Sequence, residues 1–240
     1  MKKIDILSLF PTYFDSPFNQ SIIKRAIDKD IININLVDIR DFSLDKHRRV
    51  DDRPYGGGPG MVLSPQPVVD AIRSVKKENS HVIYLSPQGE KLTAKKCKDL
   101  ASKDHLILLC GHYEGIDERA IQKEVDEEIS IGDYVLTSGC PAALVLVDAL
   151  SRFIPDVLGH PESKERDSFQ NNIFGCPQYT RPENFEGIEV PTVLKEGNHK
   201  EIEKWRYKKS LEKTSNKRPD LLYKHFHVKQ VNEKIKETVK

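Results

Sequence analysis

Leu106-Ile107-Leu108-Leu109-Cys110 runs straight into Gly111-His112-Tyr113-Glu114-Gly115-Ile116-Asp117. Five apolar residues in succession leave no polar face. That is the pattern of a strand covered on both sides, as in a parallel sheet. A glycine directly after such a strand marks a tight turn. Working outward, short apolar runs predict further strands over 4–10, 32–37, 82–85 and 127–131. Between them, apolar residues at helical spacing predict helices over 19–29, 65–76, 93–102 and 119–123, and a strongly apolar helix over 142–153. This β-α-β-α order predicts an α/β fold, a parallel sheet with helices on both faces.

Composition sets the broad class. The 240 residues carry 38% hydrophobic and 31% charged side chains, enough for a substantial core under a solvated surface. No apolar run is long enough to cross a bilayer, and residues 1–11 lack the pattern of a secretory signal. Cys97, Cys110, Cys140 and Cys176 have no paired C-x-x-C spacing, so neither a zinc site nor a disulfide framework is expected. A reducing cytoplasm is the expected location. The net charge of +1 conceals an asymmetry: residues 195–240 hold 14 Lys/Arg against 7 Asp/Glu (+7), leaving 24 against 30 (−6) for residues 1–194. A basic C-terminal region on an acidic body suits a polyanionic partner.

Periodicity breaks after Pro155, where glycine and proline predict a linker. A helix then begins at Asn198, which has capping-box spacing to Glu201, with Ile202, Trp205 and Leu211 as its apolar stripe. Another opens at Pro219. Three glycine-containing loops follow strands directly, at 84–89, 111–117 and 131–139. In open α/β sheets, ligands bind outside the carboxyl ends of strands. None of the loops is G-x-G-x-x-G or a P-loop. A fourth segment, Asp51-Asp52-Arg53-Pro54-Tyr55-Gly56-Gly57-Gly58-Pro59-Gly60-Met61, is too rich in glycine and proline for a helix or strand interior. It suits an anion-binding nest, and for Asp51 and Asp52 turns are a better reading than a metal site.

These segments resemble a known family. Residues 50–61, Y-L-S-P-Q-G (84–89), G-H-Y-E-G-I-D (111–117), S-I-G-D-Y-V-L-T (130–137), R-F-I-P-D-V-L-G-H (152–160), D-S-F (167–169), C-P-Q-Y-T-R-P (176–182) and G-N-H-K-E-I-E-K-W-R (197–206) are similar to the bacterial tRNA (guanine-N1)-methyltransferases, the TrmD family. The likeness runs to about Phe226. It implies a SPOUT-type fold with a deep trefoil knot and a small C-terminal helical domain. The implied division is 1–160 for the methyltransferase domain, 161–187 for a linker and 188–240 for a basic tRNA-binding domain.

The resemblance further implies S-adenosyl-L-methionine held by Tyr84, Leu85, Ser86 and Pro87, by Gly111, Tyr113, Glu114 and Gly115, and by Ile131, Gly132, Tyr134, Leu136 and Gly139. It implies a homodimer with shared active sites. The implied substrate is tRNA bearing a guanosine 3′ of the anticodon. Asp167 matches the general base and Arg152 the catalytic arginine. Gly57, Gly58, Ser163, Lys200 and Arg206 are assigned to substrate. Asp133, Tyr113 and Tyr134 are candidates to face the sulfonium. Magnesium is associated with the family, but no dedicated ligand set is visible here. Readings that compete are a non-catalytic RNA-binding module, an enzyme of the same fold acting on another base, and a metal-dependent phosphate-processing enzyme using Asp51 and Asp52.

The sequence departs from the family pattern twice. His112 stands where arginine is usual. The usual T-G-G-E-L-P-A is Thr137-Ser138-Gly139-Cys140-Pro141-Ala142-Ala143, with Cys140 in place of glutamate. The first departure is expected to remove a substrate or phosphate contact. The second is expected to change the course of the loop and the affinity for cofactor.

Overall fold

A computed structural model describes residues 1–158, 167–223 and 225–227. It divides into two compact units, Met1–Pro161 and Glu162–Lys240. In the first, the order is β1 (Lys2–Ser8), α1 (Asp15–Phe18), α2 (Ser21–Asp28), β2 (Ile32–Asp38), β3 (Asp51–Asp52), β4 (Val62–Leu63), α3 (Pro65–Val75), β5 (Ser80–Lys91), α4 (Ala94–Ala101), β6 (His105–Cys110), α5 (Glu118–Glu124), β7 (Glu127–Ser130) and α6 (Cys140–Ser151). Five strands form one sheet in the order β2-β1-β6-β5-β7, and every pairing is parallel.

Side-chain alternation explains the unbroken apolar run of β6. Leu106, Leu108 and Cys110 join one core with Ile4, Ile6 and the buried residues of α6, whereas Ile107 and Leu109 join a second core with Leu7, Val68 and Ile72. Both faces are covered, so each of these positions must be apolar. Each such side chain contributes on the order of 1.5–3 kcal/mol by leaving water. A carboxyl group sits inside the sheet. Asp5 is fully buried, and it accepts from Asn35 Nδ2 at 2.7 Å, Lys3 Nζ at 3.0 Å and His105 Nε2 at 2.5 Å. Three donors offset the cost of burying that carboxylate.

Two elements differ from the sequence expectation. β5 does not stop at Leu85 but runs to Lys91, because β7 pairs with it twice. Ile129 stands opposite both Leu85 and Glu90, and the intervening Ser86–Gly89 bulges out. Gly89 is required there, since a Cβ would lie 2.4 Å from the Glu128 carbonyl carbon. The Asp51–Met61 segment is the loop of a hairpin. Asp51 pairs with Leu63 and Asp52 with Val62, and the Asp52 carboxylate accepts from the Arg53 N–H at 2.8 Å.

α3 and α5 are tied by Glu124, whose side chain accepts from Arg73 at 2.8 Å and Lys76 at 3.1 Å. Burial pushes its pKa up, but the two cations outweigh that and the net shift is downward. Its stabilisation is therefore complete above the ordinary 4.5 and is lost as pH falls through the lower folded value. Glu124→Gln should cost about 1–2 kcal/mol at neutral pH, because the cations left behind remain solvated. Urea unfolding at pH 7 and pH 3 measures this, and the difference between wild type and variant should shrink at the lower pH.

The second unit contains a short hairpin, β8 (Asn184–Phe185) and β9 (Ile188–Glu189), and the helix α7 (His199–Lys217). The hairpin turn spans the expected linker boundary at residue 187. The described part of that linker is packed rather than loose. Phe174 N–H donates to Thr214 Oγ1 at 2.8 Å, His225 Nδ1 lies 2.5 Å from the Asn171 carbonyl oxygen, and the Tyr179 and Trp205 rings lie 6.2 Å apart. The Asn198 side chain caps α7 by accepting from Glu201 N–H. Its buried stripe is Ile202, Ser210 and Thr214, with Trp205 and Leu211 only half-buried.

Candidate active site

The three loops converge at the bulge of β5 and the carboxyl ends of β6 and β7, and the three strands are neighbours in the sheet. Together they line one cavity of about 380 Å³, within the range of small-molecule sites. Every residue expected to hold cofactor lines it: Tyr84 to Pro87, Gly111, Tyr113 to Gly115, Ile131, Gly132, Tyr134, Leu136 and Gly139.

Backbone contacts explain why these loops need glycine. Gly139 N–H donates to the Gly111 carbonyl at 2.8 Å, and His112 and Ser138 form an antiparallel bridge. A Cβ on Gly139 would stand 2.8 Å from Cys110 Cα and 2.9 Å from Gly111 N, both backbone atoms. A Cβ on Gly132 would lie 2.3 Å from the Tyr134 ring, which folds back over it. Gly139→Ala should therefore separate the two loops and raise the cofactor Kd by at least about tenfold, roughly the 1–3 kcal/mol of an overpacked site. Calorimetric titration checks this. An unchanged Kd would show that the close approach is not needed.

The hairpin loop is stitched to the same wall. Glu114 N–H donates to the Met61 carbonyl, Leu63 N–H to the Gly115 carbonyl and Asp117 N–H to the Leu63 carbonyl, all at 3.0 Å. Gly57 and Gly58 themselves stand away from the cavity, exposed and left-handed with φ of +77° and +121°. Tyr113 is left-handed as well, at φ 58°, which turns its half-exposed ring toward the opening.

The charge of the lining is one-sided. Glu114, Glu118 and Glu128 border the cavity, and among the described residues no Lys or Arg does. Glu118 and Glu128 escape a motif reading because they belong to a helix and a strand rather than to loops. Burial, reinforced by these two carboxylates, pushes the Tyr84 hydroxyl up to about 12, so it stays a neutral donor. Such a cavity suits a cationic ligand and disfavours a polyphosphate. Asp133 does not belong to it. Its carboxylate is exposed and pairs with Lys91 at 2.9 Å.

Beneath the loops, the two departures from the family pattern touch. Cys140 Sγ lies 3.7 Å from His112 Nε2 and 3.1 Å from Ser8 Oγ. A hydrogen bond from Cys110 lowers the Cys140 thiol, helped by His112, Ser8 and Ser138 and opposed by burial. The same bond holds Cys110 well above its ordinary range. His112 is among the residues that line the cavity. It is buried under the ring of Phe10, 5.1 Å away.

The remaining assigned residues lie elsewhere. Arg152 is the exposed C-cap of α6. In the second unit, Asp167 opens a turn closed by the bond from Gly175 N–H to Ser168 Oγ at 3.0 Å. Ser163 lies outside the described residues. Lys200 is exposed in the first turn of α7, and Arg206 pairs with Glu203 at 2.8 Å. Among the described residues, no group of three His, Cys, Asp or Glu is placed to hold a metal ion, and no helix is long and apolar enough to cross a membrane.

Comparison with known proteins identifies this parallel sheet, with loops enclosing an acidic, glycine-walled cavity, as that of a methyltransferase. The chain belongs to the tRNA (guanine-1)-methyltransferase TrmD family, whose sequence model matches residues 1–224. A tRNA (guanine-N(1)-)-methyltransferase of Protochlamydia amoebophila (strain UWE25) is 63% identical over 219 residues, covering 91% of this chain and 99% of the relative. Proteins of the same name from Chlamydia pneumoniae and Chlamydia muridarum are each 60% identical, over 98% and 94% of this chain. The chain spans 65% and 64% of the length of those two relatives.

Proposed function

We propose that this protein transfers a methyl group from S-adenosyl-L-methionine to N1 of the guanosine 3′ of the anticodon in tRNA. The observation that carries the reading is the convergence of three glycine-containing loops on one acidic cavity, in a chain of this family. The cavity suits the donor. Its volume fits a nucleoside-sized ligand, its backbone-rich wall can hydrogen-bond an adenine edge, and Glu114, Glu118 and Glu128 favour a cation. When bound, S-adenosyl-L-methionine supplies an electrophilic methyl group on a sulfonium.

Guanine N1 carries a proton and is a weak nucleophile, so a base must remove that proton. Asp167 is the carboxylate we assign to this step. As the proton leaves, negative charge spreads to O6, and the Arg152 guanidinium stabilises it. Its place at the carboxyl end of α6 favours a cation there in any case. To present its Watson–Crick edge, the base is splayed out of its stack. The cations of α7 neutralise phosphates and position the RNA without reading its sequence. Lys204, Arg206 and Lys209 pair with glutamates three residues away. Exposed pairs of this kind are worth under about 1 kcal/mol and yield readily to phosphate.

We further propose the organisation the family implies: a knotted SPOUT domain over 1–160, a base-bearing segment over 161–187 with Ser163 contacting the target base, a tRNA-binding domain over 188–240, and a cytoplasmic homodimer with shared sites. The test is methyl transfer to tRNAs with and without a guanosine 3′ of the anticodon, alongside calorimetry with S-adenosyl-L-methionine. Transfer should require that base. Transfer indifferent to it would defeat the position-specific reading, and absence of donor binding would defeat the whole.

A further inference from the structure

His112 and Cys140 are 28 positions apart, yet they touch, His112 lining the cavity and Cys140 buried behind it. Each belongs to a loop that forms the wall: His112 to the turn after β6, Cys140 to the first turn of α6. The two loops already meet through the Gly139–Gly111 hydrogen bond at 2.8 Å and the His112–Ser138 bridge. The thiol–imidazole contact is the side-chain counterpart of that backbone junction, sealed from water by Ser8, Cys110 and Phe10. Arginine at 112 alone, or glutamate at 140 alone, would bury a charge with no opposite partner at this junction, whereas the two together would pair.

We propose that His112 and Cys140 are one positioning unit for the cofactor cavity, matched to each other and replaceable only as a pair. They hold the 111–117 loop against α6 and so set the width of the cavity between Gly111 and Gly139.

The proposal rests on the cavity being the S-adenosyl-L-methionine site, so wild-type binding is measured first. No binding there would refute that assignment and this one alike. With binding established, His112→Arg and Cys140→Glu are each expected to weaken it by about tenfold or more, and the double variant to return to within about threefold of wild type. The KM for cofactor should follow the Kd, while kcat at saturating cofactor changes less. If the double variant binds as weakly as the product of the single losses, the residues act independently and the proposal fails. Should a charged single variant not fold, Cys140→Ser and Cys140→Ala decide. Serine keeps a partner for the imidazole and should retain binding, whereas alanine should lose about tenfold, and adding His112→Ala to it should cost nothing further. Equal binding by the serine and alanine variants, or additive losses, would overturn the pair.

Discussion

Asp167→Asn should lower kcat by about 10²–10⁴-fold while the Kd for S-adenosyl-L-methionine stays within about twofold of wild type. Asparagine has nearly the shape of aspartate and can keep its hydrogen bonds, but it cannot take up the guanine N1 proton. The turn that carries the residue is also closed by the bond from Gly175 N–H to Ser168 Oγ, so the fold should tolerate the exchange. Asp167 is not among the described residues that line the cavity, so donor binding should not depend on that oxygen. Single-turnover methylation with calorimetry on the same preparation separates the two quantities. Normal turnover by the variant would falsify the general-base assignment, and the missing acceptor would have to be sought in another carboxylate.

Arg152→Ala should produce the next largest loss, about 10²–10³-fold in kcat, the range for removing one donor aimed at developing charge. Arg152 is exposed at the end of α6, whose core is held by Leu146, Val147 and Leu150. Truncation therefore leaves the core intact, and the charge lost at the helix terminus should cost about 0.3–1 kcal/mol of stability. Lysine at the same position keeps the charge without the planar fork and should recover only part of the rate. An alanine variant with wild-type kcat and reduced stability would leave Arg152 as a helix cap and nothing more.

Both assignments come from resemblance, and the structure makes clear why residue physics alone does not reach them. The sheet is legible because burial on two faces forces 106–110 to be apolar throughout, and the loops are legible because glycine follows each strand. The continuation of β5 is not. Pro87 and Gly89 read as chain punctuation, and the second pairing with Ile129 needs a partner strand 40 residues away. The stripe of α7 is only half legible, since Thr214 is buried with its hydroxyl donating to the Ser210 carbonyl and accepting from Phe174 N–H rather than to exclude water. Counting apolar residues passes over such positions. The contact between His112 and Cys140 is illegible for a related reason. Each looks like an isolated loss from a motif until the fold sets them side by side.

The bulge in β5 has an evolutionary consequence. Ser86 to Gly89 are clamped at both ends to a single residue of the neighbouring strand, so inserting or deleting one residue there would throw the downstream pairing of Glu90 and Lys91 out of step. Drift in this part of the enzyme is thereby channelled into exchanges of side chains at fixed spacing. An inhibitor that engaged the main chain of these four residues would meet a surface that resistance mutations have little room to reshape.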